Sequence, residues 1–266
     1  MGTLAGQPTD DSEMALELAR TILEYGRYDP GRALHGYRAW LDSGPFDCDT
    51  TILNALNGRP NPASEANGAM MRASPLGIFG VGLPEAKVAD MAMQDAALTH
   101  PNPVCQQSNA LFILAISNAI STGASPSKLY ERILGWCSNF RVGKTVLDAV
   151  RRAESSPPAD FMRQQGWVLV AFQNAIWQML HARSFEDALV DTVMRGGDTD
   201  TNAAICGALL GAVHGVESIP KRWKAPVLSC RPSPGALGVR RPRPERYWPV
   251  DAVELANGLL AARRAV

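Results

Sequence analysis

Gly196-Gly197-Asp198-Thr199-Asp200-Thr201-Asn202 runs without a break into Ala203-Ala204-Ile205-Cys206-Gly207-Ala208-Leu209-Leu210-Gly211-Ala212-Val213. An acidic turn feeds directly into a helix of small residues. The two leading glycines permit backbone conformations that a Cβ resists. Asp198 and Asp200 are two residues apart, so a turn is needed to aim both carboxylates at one point. Thr201 adds a hydroxyl, and Asn202 begins the helix. Gly207, Gly211 and Gly215 recur at four-residue spacing. Each glycine inside a helix costs roughly 1 kcal/mol against alanine, so the spacing predicts compensating close packing of neighbouring backbones.

The same arrangement occurs near the N-terminus. Thr9-Asp10-Asp11-Ser12 precedes the helical stretch Ser12–Tyr25, whose Met14, Leu16, Leu18, Ile22 and Leu23 form a broad apolar face. Either turn alone is also an ordinary helix cap, because Asp, Ser and Thr are favoured there. Brought together, they offer four carboxylates with hydroxyls beside them. All are hard oxygen donors suited to cations such as Mg²⁺. The second turn is not an EF-hand: counted from Asp198, position six is Ala203 and position twelve is Leu209, where that motif needs Gly and Glu. The chain also has no GxxxxGK[ST] phosphate loop.

Between these ends the chain reads as helix after helix. Apolar residues at three- and four-residue spacing predict helices over Gly31–Leu41, Thr50–Asn57, Leu83–Ala97, Ser108–Ser121 and Ser127–Cys137. Others are predicted over Val142–Ala153, Trp167–His181, Ser184–Met194, Thr201–Val213 and Asp251–Arg263. Start signals support them: Asp29-Pro30, Ser125-Pro126, and Ser184 with Asp187 three residues on. Asn57–Ala66 and Thr99–Pro103 read as loops. No run alternates β-branched residues. The reading is an all-α chain forming one domain over residues 1–266. Residues 219–249, rich in Pro and Arg, form an ordered surface meander whose arginines sit on a solvated face.

With 266 residues and 46% apolar composition, the chain can bury a sizeable core. Lys plus Arg and Asp plus Glu are equal at 26 each, so charge does not point to nucleic acid or an acidic membrane as the main partner. Cys48, Cys105, Cys137, Cys206 and Cys230 are odd in number and never in CxxC spacing. That argues against a zinc site or a disulfide framework and for a reducing cytoplasm.

Three shorter elements complete the pattern. Phe46-Asp47-Cys48-Asp49-Thr50-Thr51 is a third acidic turn at a helix start. Asn67-Gly68-Ala69-Met70-Met71-Arg72 is a small-residue turn that lets a ligand approach the backbone. Thr99-His100-Pro101 follows a helix end, where a histidine more often serves as a structural hydrogen-bonder than as a catalyst.

Taken in order, these motifs resemble the ADP-ribosylglycohydrolase family over nearly the whole chain. Thr9-Asp10-Asp11-Ser12-x-Met14-Ala15-Leu16 is similar to its TDDT-x-MAL signature. Phe46-Asp47-x-x-Thr50-Thr51 is similar to its FDxGxTT, with Asp49 where the family prefers Gly. Asn67-Gly68-x-x-Met71-Arg72-x-x-Pro75-Leu76-Gly77 resembles NGSxMRxxPLG, and Thr99-His100 follows in place. Gly197-Asp198-x-Asp200-Thr201 and its helix resemble GDxDTxxxxxGxLxGAxxG, and Ile219-Pro220-x-x-Trp223 closes the series.

The resemblance implies an orthogonal all-α bundle with a binuclear Mg²⁺ cleft, Mn²⁺ being a possible substitute. It implies Thr9, Asp10, Asp11, Asp198, Asp200 and Thr201 as ligands, with Asp11 or Asp198 as catalytic base. It places Asn67, Gly68 and His100 on ADP-ribose and Asp47 beside the leaving group. The activity implied is hydrolysis of the N-glycosidic bond of ADP-ribosylated protein, arginine-linked by preference. The alternative is a non-catalytic ADP-ribose binder or immunity-type protein. The family's first helix, carrying GxxxGDALG, has no counterpart in Met1–Pro8. The expectation is a site that a protein partner or a second copy would cover.

Overall fold

Capping side chains and prolines set where the helices begin. The computed structural model describes residues 2–262. Along the chain lie α1 (Asp10–Tyr25), α2 (Pro30–Asp42), α3 (Thr50–Leu56), α4 (Gly68–Met71), α5 (Ser74–Phe79) and α6 (Glu85–Ala97). Then come α7 (Pro103–Thr122), α8 (Pro126–Asn139), α9 (Lys144–Arg152), α10 (Val168–His181) and α11 (Phe185–Met194). The last three are α12 (Thr199–His214), α13 (Lys221–Ser229) and α14 (Ala252–Ala262). The side chains of Asp29, Asn102, Ser125 and Ser184 accept first-turn backbone N–H groups, and Pro stands in the first turn of α2, α7 and α8. Among the described residues there is no strand; pairing is confined to one bridge between Ala66 and Trp167.

The core is built around α7 and α10. Every residue from Ser108 to Ser117 and from Val168 to Ile176 is buried. A helix apolar on nearly all sides belongs in the middle of an all-α fold. The amide donors there are bonded: Asn174 Nδ2 donates to Thr192 Oγ1 at 2.9 Å, and Gln173 Nε2 donates to the Ser156 carbonyl at 3.1 Å. Around this pair, α12 packs on α7, α10 and α11, while α1 packs on α2, α5 and α14. Helices α1 and α4 both touch α12, which carries the second acidic turn toward the first.

Five expectations need correction. Helix α7 begins five residues before Ser108, because Asn102 caps it through Val104 N–H at 2.8 Å and Pro103 fits its first turn. The segment after Asn67 holds two short helices, α4 and α5. The Pro-rich meander contains α13, which tolerates Pro226 inside it and rests on the core through Trp223. The glycine stripe of α12 does not host backbone contact. A Cβ at Gly207 would first meet the Leu189 side chain at 3.5 Å, and one at Gly211 or Gly215 would meet nothing within 4 Å.

The arginines of the meander are not all solvated. Arg243 is 3% exposed and grips Glu13 of α1, which is 1% exposed. Arg246 binds Glu17 and Glu24 on the same helix. These contacts pin the segment that precedes α14 against the helix bearing the first acidic turn.

Candidate active site

The N-terminal turn sits at the mouth of α1. Thr9 is its cap residue, with extended backbone, and its hydroxyl donates to Asp11 Oδ2 at 2.7 Å. Asp10 and Asp11 are nearly buried, at 8% and 3% exposure. Asp11 Oδ1 is buried without a partner, an acceptor directed at nothing the protein supplies. A buried carboxylate left in this condition is costly, and its protonation responds. Burial, then the charge of Asp11, raises the pKa of Asp10 to about 8. Burial raises that of Asp11 to about 6, with the charges of Asp200 and Asp198 adding to it and the Thr9 hydroxyl opposing.

The second turn depends on its two glycines. Gly196 and Gly197 have φ of 77° and 73°, the left-handed region that favours glycine. A Cβ on Gly197 would lie 2.1 Å from the Phe161 carbonyl oxygen. The chain around Phe161–Gln165 therefore lies directly on this turn and holds it. Asp198 caps α12, Asp200 lies in its first turn, and Thr201 is buried. Asp198 is raised by burial, against hydrogen bonds from Asn67 and Thr201.

The other motifs adjoin the acidic turns through Asp49. Asp49 caps α3, its Oδ1 accepting the Thr51 N–H at 2.7 Å. Its backbone N–H offsets part of the cost of charging Asp10. A Cβ on Gly68 would lie 3.1 Å from Asp49 Oδ2 and 3.3 Å from His100 Cε1. Gly68 thus separates a carboxylate from an imidazole. His100 is fully buried, hydrogen-bonded through Nδ1 to the Thr99 hydroxyl at 2.8 Å, with Nε2 unpartnered. Burial, then Arg72, pushes its pKa down to about 3, so the ring is neutral near pH 7. Asp47 is partly exposed, and its pKa is raised by burial and then by Asp200.

The structure therefore gathers Asp10, Asp11, Asp47, Asp198 and Asp200 into one mutually repelling set, with Thr9 and Thr201 beside them. Asn67 joins through Asp198, and Gly68 and His100 adjoin through Asp49. Among the described residues, no three His, Cys, Asp or Glu side chains stand ready-made as a metal site. Like charges repel, and Thr9 and Asn67 each hold one carboxylate oxygen. The donor chemistry is nonetheless what a hard divalent cation requires: oxygen only, in excess of negative charge, and running from buried Asp10 and Asp11 out to exposed Asp200.

Sequence reasoning missed two supports. One is the Phe161–Gln165 stretch, signalled only by the paired glycines it presses on. The other is a clasp at Glu65 and Trp167, where Trp167 Nε1 donates to Glu65 Oε2 at 2.7 Å. Trp167 read simply as the start of a core helix. A large groove of about 920 Å³ lies elsewhere, lined by apolar side chains of α11, α13 and α14. It lacks the convergent polar groups that chemistry needs.

The family model for ADP-ribosylglycohydrolase matches residues 1–250. A protein of Acanthamoeba polyphaga mimivirus, provisionally named ADP-ribosyl glycohydrolase L543, is 30% identical over 259 residues, covering 86% of this chain and 77% of its own length. The ADP-ribosylarginine hydrolase Tri1 of Serratia proteamaculans is 28% identical, covering 82% of this chain; the chain spans 62% of that relative. The ADP-ribosyl-[dinitrogen reductase] glycohydrolase of Rhodospirillum rubrum is 26% identical, covering 82% and 72%. A solved structure titled an ADP-ribosylglycohydrolase-related protein complex superposes with a TM-score of 0.75, at 24% identity and 97% coverage of this chain, and shows the same fold. The chain belongs to the ADP-ribosylglycohydrolase family.

Proposed function

We propose that this protein is a Mg²⁺-dependent hydrolase that releases ADP-ribose from ADP-ribosylated protein, with arginine-linked ADP-ribose as the preferred substrate. The observation that carries the reading is the gathering of Asp10, Asp11, Asp198 and Asp200 from two distant turns into one oxygen-only site, in which Asp10 and Asp11 are buried and Asp200 is open to solvent. Thr9, Asp10, Asp11, Asp198, Asp200 and Thr201 would hold two Mg²⁺ ions, or Mn²⁺ in their place. When bound, the ions supply charge that steadies the ribose hydroxyls and lowers the pKa of water.

The protein's own groups do the rest. Asp11 or Asp198 takes a proton from the attacking water. The water oxygen bonds to the anomeric carbon as the bond to the guanidine nitrogen breaks, through an oxocarbenium-like centre. The proton passes to the leaving nitrogen, giving ADP-ribose and unmodified arginine. Gly68 has no side chain of its own, which lets Ile52, Asp49 and His100 close to within 3.0–3.3 Å of where a Cβ would stand and so sets the wall against which the ligand lies. His100, neutral and with Nε2 free, gives it one hydrogen bond. Asp47 faces the leaving guanidinium, which a carboxylate binds through two charge-assisted hydrogen bonds. Two relatives named ADP-ribosylarginine hydrolase, from Serratia proteamaculans and Pseudomonas putida, support the linkage.

The direct test is release of ADP-ribose from an arginine-modified protein with Mg²⁺ and with EDTA. Turnover that vanishes in EDTA is expected. Tight ADP-ribose binding without turnover in either condition would instead favour the non-catalytic binder. Asp47→Ala should reduce arginine-linked turnover by the on the order of 2–5 kcal/mol that follows loss of a charge-pair partner, while binding of free ADP-ribose is unchanged. Preferential cleavage of a serine-linked substrate by the wild type would remove the assignment. His100→Ala should weaken ADP-ribose binding about tenfold, the worth of one good hydrogen bond; calorimetry showing unchanged affinity would make the ring purely structural.

No described helix is long and apolar enough to cross a membrane. We place the enzyme in the cytoplasm on the ground of its five free cysteines. A partner or second copy covering the acidic site remains part of this proposal, to be tested by the mass of the protein in solution.

A further inference from the structure

Asn67 reads from sequence as a substrate contact, but its side chain is engaged elsewhere. It is 4% exposed. Its amide Nδ2 donates to Asp198 Oδ2 at 2.8 Å, across 131 residues of sequence. Its backbone is also fixed. The Asn67 N–H donates to the Gly166 carbonyl at 2.9 Å, and the Asn67 carbonyl accepts the Met70 N–H at 2.8 Å. One residue back, Ala66 bridges to Trp167, and the Val168 N–H donates to the Glu65 carbonyl at 2.9 Å. The Glu65–Trp167 side-chain bond closes the clasp at 2.7 Å. The same loop that ends at Gly166 lies on Gly197 through Phe161 and Gln165. The loop that lies on the Asp198 turn and the segment that holds its carboxylate are thus bonded to each other.

We propose that Asn67 is a positioning residue for Asp198: held by the Glu65–Trp167 clasp, its amide fixes which oxygen of Asp198 stays free for a divalent cation. This rests on the reading of the acidic site as a Mg²⁺ site. An amide N–H suits the task because it can only donate, so it occupies one carboxylate oxygen and leaves the other open. Outer-shell partners of this kind orient metal-binding carboxylates, and their loss typically costs 10–100-fold in metal affinity.

The test is calorimetric titration with Mg²⁺, paired with ADP-ribose titration in EDTA. Asn67→Ala should weaken Mg²⁺ binding 10- to 100-fold and leave ADP-ribose affinity in EDTA unchanged. Trp167→Phe alters none of the candidate Mg²⁺ ligands but removes the clasp bond to Glu65, so it should weaken Mg²⁺ binding several-fold in the same sense. It also serves if Asn67→Ala does not fold. Unchanged Mg²⁺ affinity in the folded variants overturns the role. Loss of ADP-ribose affinity with Mg²⁺ binding intact returns Asn67 to the substrate. If the wild type itself binds no Mg²⁺, the metal reading falls and this role falls with it, a result distinct from the other two.

Discussion

Asp10→Asn should raise the melting temperature of the metal-free protein at pH 8, abolish the further rise on adding Mg²⁺, and lower turnover of an arginine-linked substrate by at least about a thousandfold. The first effect follows from linkage. Asp10 has a folded-state pKa of about 8 against an unfolded value of 3.8, and burial is the main cause. Between those values the folded state holds a proton that the unfolded state has released. Stability from this group is therefore fully present below about pH 4 and is lost as pH rises through about 8. Asp11, raised to about 6, acts in the same direction over a lower window. At about 1.4 kcal/mol per unit, the Asp10 shift caps its cost at roughly 6 kcal/mol. Relaxation of the neighbouring acids brings the realised cost lower.

Asparagine keeps the shape of the side chain and cannot ionise, so the variant escapes that penalty. It also loses an anionic ligand. Mg²⁺ binding to the wild type must displace protons from Asp10 and Asp11, so its affinity should climb with pH through 6 and 8; in the variant the climb through 8 disappears. Thermal scans at pH 5 and pH 8, each with EDTA and with Mg²⁺, read all of this. A variant less stable than the wild type at pH 8 in EDTA would mean that Asp10 is a structural carboxylate whose charge the fold needs.

The acidic site was legible in sequence because its signals are local. A carboxylate at a helix mouth, a glycine pair before it and a hydroxyl beside it are written within seven residues. Helices were legible for the same reason: three- and four-residue periodicity, Pro in first turns, and Asp or Ser caps. What stayed hidden was long-range. Nothing near Asn67 says that its amide binds Asp198, 131 residues away, and nothing near Gly197 says that the Phe161 carbonyl lies on it. The glycines of α12 misled in the opposite direction. Their spacing is right for close packing, but at Gly211 no neighbour stands within 4 Å. Arg240–Arg246 misled through composition, since a Pro- and Arg-rich stretch in a neutral chain resembles a solvated face.

That last misreading sets the largest expected stability effect outside the acidic site. Arg243→Ala should destabilise the protein by about 3–5 kcal/mol. The Arg243 guanidinium meets Glu13 as a fork, Nε to Oε1 at 2.8 Å and Nη2 to Oε2 at 2.8 Å. Glu13 Oε2 also accepts Trp40 Nε1 at 2.8 Å. The remaining guanidinium donors go to the Ser43 carbonyl at 3.0 Å and hydroxyl at 2.8 Å. Both partners are almost wholly buried, so removing the arginine leaves a carboxylate in the interior without its counter-charge. The cost is that stranded charge more than the lost attraction. Replacing both partners, as in Glu13→Leu with Arg243→Met, should therefore cost less than Arg243→Ala alone. Arg243→Lys should fall between wild type and Arg243→Ala, because an ammonium cannot reproduce the fork. Urea melts of the three variants beside the wild type rank these costs directly. An Arg243→Ala variant within about 0.5 kcal/mol of wild type, the range of ordinary surface substitutions, would restore the solvated-face reading. The expected loss has a second consequence at the site. Glu13 lies in the first turn of α1, with Asp10 and Asp11. Loosening that turn should weaken Mg²⁺ binding even though Arg243 is not among the acidic groups themselves.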